Sequence, residues 1–121
     1  MKFFLLLLTV FVSGCSQSVC NRWEYAIFSF STYSVIENDE LVEVDSNVLW
    51  VTGESSAFFK NNKLMLKDSE KSLSTFFGAS SNHPVSILTE LGKDGWEVYD
   101  YESYHADANS EKRDWQLKRC I

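Results

Sequence analysis

The chain has 121 residues, 45% of them hydrophobic and 15% aromatic, with a formal net charge of −6. That length fits one domain and leaves little room for a second. The acidic balance excludes nucleic acid as a natural partner and gives no attraction to anionic lipid, while the aromatic content excludes a disordered chain.

Residues 1–14 have the pattern of an export signal: Lys2 as a basic start, an apolar run from Phe3 to Val12 broken by Thr9, then two small residues before a cysteine. A helix needs about 20 apolar residues to cross a bilayer, and this run falls well short. Val12-Ser13-Gly14-Cys15 resembles the lipobox of bacterial lipoproteins. Small side chains at Ser13 and Gly14 let an extended segment enter a peptidase, and the thiol of Cys15 accepts diacylglycerol. The resemblance implies cleavage before Cys15, acylation of its new amino group, and a membrane anchor of palmitate-type chains. Several chains, at about 0.8 kcal/mol per buried methylene, hold a protein far better than one. Ser16, in place of Asp, resembles the sorting choice of outer-membrane lipoproteins, so the expected address is the cell outer membrane, on its periplasmic or surface side. The alternative is an ordinary secretory cut.

Residues 15–20 would then be a lipidated tether, whose last five residues reach about 17 Å when extended. Residues 21–121 form a single expected domain. The mature chain keeps ten of eleven basic residues and all seventeen acids, a formal charge of −7. With Cys15 given to lipid, Cys20 and Cys120 remain, and even pairing in an exported protein predicts a disulfide; the alternative is two free buried thiols.

Residues 23–30 alternate well and predict a strand with apolar residues on both faces, as in the middle of a sheet. Residues 33–36, 41–44 and 48–52 are β-rich runs separated by Asn-Asp-Glu and Asp-Ser-Asn. Residues 57–60 and 63–66 flank Asn61-Asn62, a pair suited to the positive φ of a two-residue hairpin. Asp68 or Ser69 is expected to cap a short helix that runs through Phe77 and is closed by Gly78. Pro84 suits a helix start and Gly92 its C-terminal stop, with Val85, Leu88 and Leu91 striping one side and Ile87 beside them. Asp94-Gly95 predicts a turn, residues 96–101 a strand, residues 106–111 a polar loop, and residues 113–119 a closing strand.

This order resembles a family of small bacterial domains of unknown function, the Gly-Trp-Glu-Leu type. The residues that carry it are Trp23-Glu24-Tyr25, then Leu88, Leu91-Gly92 and Gly95-Trp96-Glu97-Val98, then Trp115, Leu117 and Lys118-Arg119. The match spans residues 22–30 and 84–120. It implies an α+β fold: a small antiparallel sheet with one main helix packed on it, plus a β-rich insertion between the matched parts. It implies no activity.

Little in the chain points to catalysis, and the reading is not an enzyme. His83 and His105 are the only bases that titrate near neutral pH. Ser103, His105 and Asp107 lie close in sequence, but a triad needs a rigid turn and an oxyanion hole, and no glycine-rich turn adjoins the serine. Asp100, Glu102, Asp107, Glu111 and Asp114 concentrate acid near the last hairpin. Their spacing matches no calcium loop, so a solvated edge is expected and no metal. No phosphate-binding glycine loop or zinc pattern calls for a cofactor.

The expected function is a membrane-anchored envelope lipoprotein with a non-enzymatic, protein-binding or accessory domain. The alternatives are an exclusion or immunity lipoprotein of a mobile element, and a small hydrolase or ligand-binding enzyme using the His105 loop. The expected partner site is the hairpin around Asn61-Asn62. Adjacent residues there point to opposite faces, so one core cannot bury both Phe58 and Phe59, or both Leu64 and Met65. Phe58, Phe59 and Met65 are the candidates, because exposed aromatic and thioether groups favour binding surfaces.

Overall fold

The computed structural model describes residues 19–66 and 69–121. Cys15, the signal segment, most of the tether and the cap candidate Asp68 lie outside the described residues. Eight elements follow in chain order: β1 (Trp23–Glu37), β2 (Glu40–Thr52), β3 (Ser56–Lys60), β4 (Lys63–Leu64), α1 (Leu73–Phe77), α2 (Pro84–Lys93), β5 (Glu97–Asp107) and β6 (Ser110–Cys120).

The strands form one six-stranded sheet in the order β4-β3-β2-β1-β6-β5, with every pairing antiparallel. Strands take up 57% of the described residues and helices 15%. The expected α+β fold with one main helix is therefore corrected to a mostly β fold carrying two short helices. The supposed insertion is half of the sheet itself. Residues 33–64 complete β1 and supply β2, β3 and β4, whose Val48, Trp50, Phe59 and Leu64 all enter the single core.

Local chemistry explains the hairpins. Asn38 and Asp39 have φ of 50° and 60°, and Asn61 and Asn62 have 49° and 66°. Both pairs therefore make the tight turn whose twist suits antiparallel neighbours, using the residues that tolerate left-handed backbone best. The Asp-Ser-Asn at residues 45–47 does not break β2. A register shift opposite Tyr33 and Ser34 absorbs one extra residue. Ser46 is buried and its N–H donates to Asn61 Oδ1 at 3.0 Å, so the polar stretch is satisfied in place.

Among the described residues, only one face of the sheet is covered. Ala26, Phe28, Val48, Trp50, Phe59 and Leu117 point towards the helices and are buried. Phe77 of α1 sits among them, with ring centres 6.0 Å from Phe28, 5.7 Å from Trp50 and 6.1 Å from Phe59. The first two pairs are edge-to-face and the third is tilted, and such aromatic pairs add about 0.5–1.5 kcal/mol each beyond area burial. Leu73 from α1 and Ile87 and Leu91 from α2 close the layer.

The helix ends differ in detail from expectation. Ser72 caps α1, accepting from the Thr75 N–H, and Gly78 ends it at φ 66°. His83 caps α2 through a ring nitrogen. Gly92 lies inside α2, and Asp94 is the cap. Gly95, at φ 91°, turns the chain so that Trp96 tucks under the helix, where its ring meets Trp50 at 5.5 Å. β5 runs on through residues 102–107, which include the expected loop start at Ala106. There both sheet faces lie beyond the helices, so hydrophobic alternation gives no signal.

Candidate functional site

β1 and β6 are antiparallel neighbours, with Trp23 opposite Cys120, so the two chain ends meet at one edge of the domain. Cys20 and Cys120 form a disulfide, with Cα atoms 5.6 Å apart across a sequence separation of 100. Arg22, Lys118 and Arg119 gather beside it, but the last two are not free charges. Arg119 pairs with Glu24 and lies over the Trp96 ring, while Lys118 reaches Glu97 at 3.6 Å and the Trp23 ring at 4.5 Å. Any positive collar towards a membrane is thus largely neutralised within the fold.

The sheet face opposite the helices carries the most distinctive surface. Phe58 on β3 stands opposite Leu49 on β2, and Ile27 on β1 stands opposite Val51. Met65 follows β4, and its N–H donates to the Phe58 carbonyl at 2.8 Å, which places it beside Phe58. Tyr25 extends the band towards the disulfide, its ring edge-on to Tyr99 at 6.0 Å. Phe58 is 44% exposed, Met65 58% and Ile27 45%. Phe59 points the other way, is 0% exposed and packs on Phe76 at 5.1 Å. Of the three residues expected at a partner site, Phe59 is therefore core. Phe58 and Met65 lie together on the open face, in a wider band of Tyr25, Ile27 and Leu49 that lies outside the hairpin expected to carry the site. Period-two alternation in β1 and β2 held that signal, because both of their faces are apolar.

The same face turns polar towards the far end. Ser29, buried, donates to Asp114 Oδ1 at 2.5 Å, and Lys112 lies 3.8 Å from the same carboxylate. The Tyr104 hydroxyl beside Lys112, followed by the Asp114 charge, raises the ammonium above its ordinary value.

On the helix side a second feature opens at that far end. A cleft of about 430 Å³ lies between the α2 start and the sheet, lined among others by Leu41, Glu43, Asn82, His83, Glu111 and Arg113. The guanidinium of Arg113 donates to Glu111 at 2.8 Å and holds that carboxyl below its usual range; the same bond raises Arg113. Because the Glu111 value is lowered by folding, the pair stabilises at neutral pH and is lost as pH falls through the lowered value. His83 Nδ1 accepts from the Val85 N–H at 3.2 Å, which makes it a helix cap.

His105 does not lie on a loop. It sits in β5 opposite Glu111, and Ser103 sits opposite Arg113. Among the described residues no hydrogen bond joins Ser103 to His105, and Asp107 accepts from the Asn109 N–H in the hairpin turn. No group of three His, Cys, Asp or Glu among the described residues is arranged to hold a metal ion. No helix of the described residues is long and apolar enough to cross a membrane.

Comparison with protein-family models, with curated proteins and with solved structures finds no match. The lipobox and the Gly-Trp-Glu resemblance therefore rest on the residues quoted for them.

Proposed function

We propose that this chain is a lipid-anchored protein of the cell envelope whose domain works by binding another protein through the uncovered face of its sheet. One observation carries the reading. An antiparallel sheet exposed on one side normally alternates apolar and polar residues, yet here the exposed side carries Tyr25, Ile27, Leu49, Phe58 and Met65 in adjoining positions. Contiguous apolar surface of this kind marks an interaction site more often than bare solvent contact. The anchor is supported by the Val12-Ser13-Gly14-Cys15 sequence, and export by the Cys20–Cys120 disulfide, a bond that persists in oxidising compartments. Ser16 supports the outer membrane as the address.

Two variants in the native envelope test the two halves of this reading separately. Cys15→Ala is expected to abolish incorporation of labelled fatty acid and release the domain from membranes. Phe58→Ser combined with Met65→Ser is expected to keep the label and the membrane association but lose the native complex on a non-denaturing gel. Labelling that survives Cys15→Ala sinks the anchor, and a complex that survives the double variant sinks the face.

A further inference from the structure

The outermost part of the β1–β2 hairpin reaches beyond the rest of the sheet. β6 stops pairing with β1 at Tyr33, where Ser110 faces it, and a last bond runs from the Ser34 N–H to the Asn109 carbonyl. β3 stops pairing with β2 at Asn47, followed by one bond from the Asn61 N–H to the Ser46 carbonyl. Residues 34–45 are thus a two-stranded ribbon, and among the described residues the outer edge of β2 over residues 40–45 has no neighbouring strand. Such an edge presents N–H and C=O groups ready to pair with another chain.

Two properties make this edge unusual. Ile36, Leu41, Val42 and Val44 are all exposed, Ile36 by 71% and Leu41 by 67%. Residues 33–47 also carry five acids (Glu37, Asp39, Glu40, Glu43 and Asp45) and no Lys or Arg. Lysines that commonly block edge pairing are absent from it. A neutral or acidic strand gains nothing from those carboxylates, and a second copy of the ribbon would set acid against acid. Leu41 and Glu43 of the ribbon line the cleft of about 430 Å³, whose Arg113 is already engaged by Glu111. Glu43 forms no salt bridge among the described residues, although its charge is felt by Arg113, so it offers a carboxylate to a cationic side chain.

We infer that the ribbon is a strand-addition site that takes an extended, basic and aliphatic segment of a partner protein along residues 40–45. Main-chain bonds supply affinity in this mode, and alternate side chains supply selection. The site is separate from the uncovered face, and it does not depend on the lipid anchor. It lies at the opposite end of β1 from the disulfide, and that strand of 15 residues is roughly 45–50 Å long at about 3.3 Å per residue.

The probe is a dye-labelled peptide, acetyl-Lys-Val-Arg-Val-Lys-Val-amide, titrated into the full chain with its disulfide intact in non-ionic detergent. Binding is expected with new protection of backbone amides in residues 40–45, read by hydrogen exchange. Glu40→Gln with Glu43→Gln is expected to weaken it by roughly tenfold, as loss of complementary charge does, and Phe58→Ser to leave it unchanged. A peptide N-methylated at alternate residues keeps its charge but cannot extend a sheet, and it is expected not to bind. Equal binding by the N-methylated peptide, or by a Glu-Val counterpart, overturns the proposal, as does no binding at all. Self-association that Glu40→Lys strengthens also overturns it, in favour of a second copy.

Discussion

Phe59→Ala is expected to destabilise the domain by about 3–5 kcal/mol, the usual cost of emptying a phenylalanine site in a packed core. Phe59 is fully buried and touches Phe76 and Phe77, so its loss opens a cavity in the aromatic layer that joins α1 to the sheet. For a domain of this size each kcal/mol moves the melting temperature by about 4–8 °C, so a fall of more than about 12 °C follows. The neighbouring change Phe58→Ser removes a side chain that already meets solvent, and it is expected to cost less than about 1 kcal/mol. Thermal denaturation of the two variants side by side checks both. Equal destabilisation would mean that something covers the second face, and it would remove the basis for a binding surface there.

The second large effect belongs to the disulfide. It closes a loop with a sequence separation of 100, and chain-entropy arguments credit a loop of about 100 residues with roughly 4.7 kcal/mol. Cys20→Ser with Cys120→Ser is therefore expected to lower the melting temperature by more than about 15 °C while the folded form keeps its sheet. The reason is where the bond sits: it joins the ends of two neighbouring interior strands, β1 and β6, which already pair from Trp23 opposite Cys120 inward. A shift of less than about 5 °C would mean that the unfolded chain gains little freedom from losing the link, and the bond would then matter for export or anchoring rather than stability.

Much of this architecture was legible in the sequence, and the errors have physical causes. Alternation identified β1 as central because apolar residues occupy both of its faces, and it does pair on both sides. Asn61-Asn62 announced its hairpin because few other residues accept φ near 49° and 66°. Asn38-Asp39 makes the same kind of turn, but Asn-Asp-Glu reads equally as a separator, so the sequence predicts only short fragments of β1 and β2. The polar stretch around Asp45 looked like a break because a register shift and a side-chain bond from Asn61 cannot be seen in one strand alone. The expected insertion, residues 31–83, follows from the family resemblance, which has no counterpart there. The hydrophobic pattern argued otherwise, since Val48, Trp50 and Phe59 share one face and one core.

The candidate site was half visible for a related reason. Opposite orientation of Phe58 and Phe59 follows from strand geometry alone, but which of the two faces solvent depends on where α1 packs. The band of Tyr25, Ile27 and Leu49 depends on register across three strands, and sequence spacing does not supply it. The ribbon was hidden because its strands run past the point where neighbouring strands stop, a property of lengths in other parts of the chain.

The working face is tested most directly by a photo-activated cross-linker placed at position 58 and, as a control, at position 85, where Val85 on α2 is 64% exposed on the helix side. In cells that make the full chain, position 58 is expected to give one discrete protein adduct and position 85 none. Adducts of equal yield at both positions, or none at position 58, would contradict a protein-binding role for the uncovered sheet.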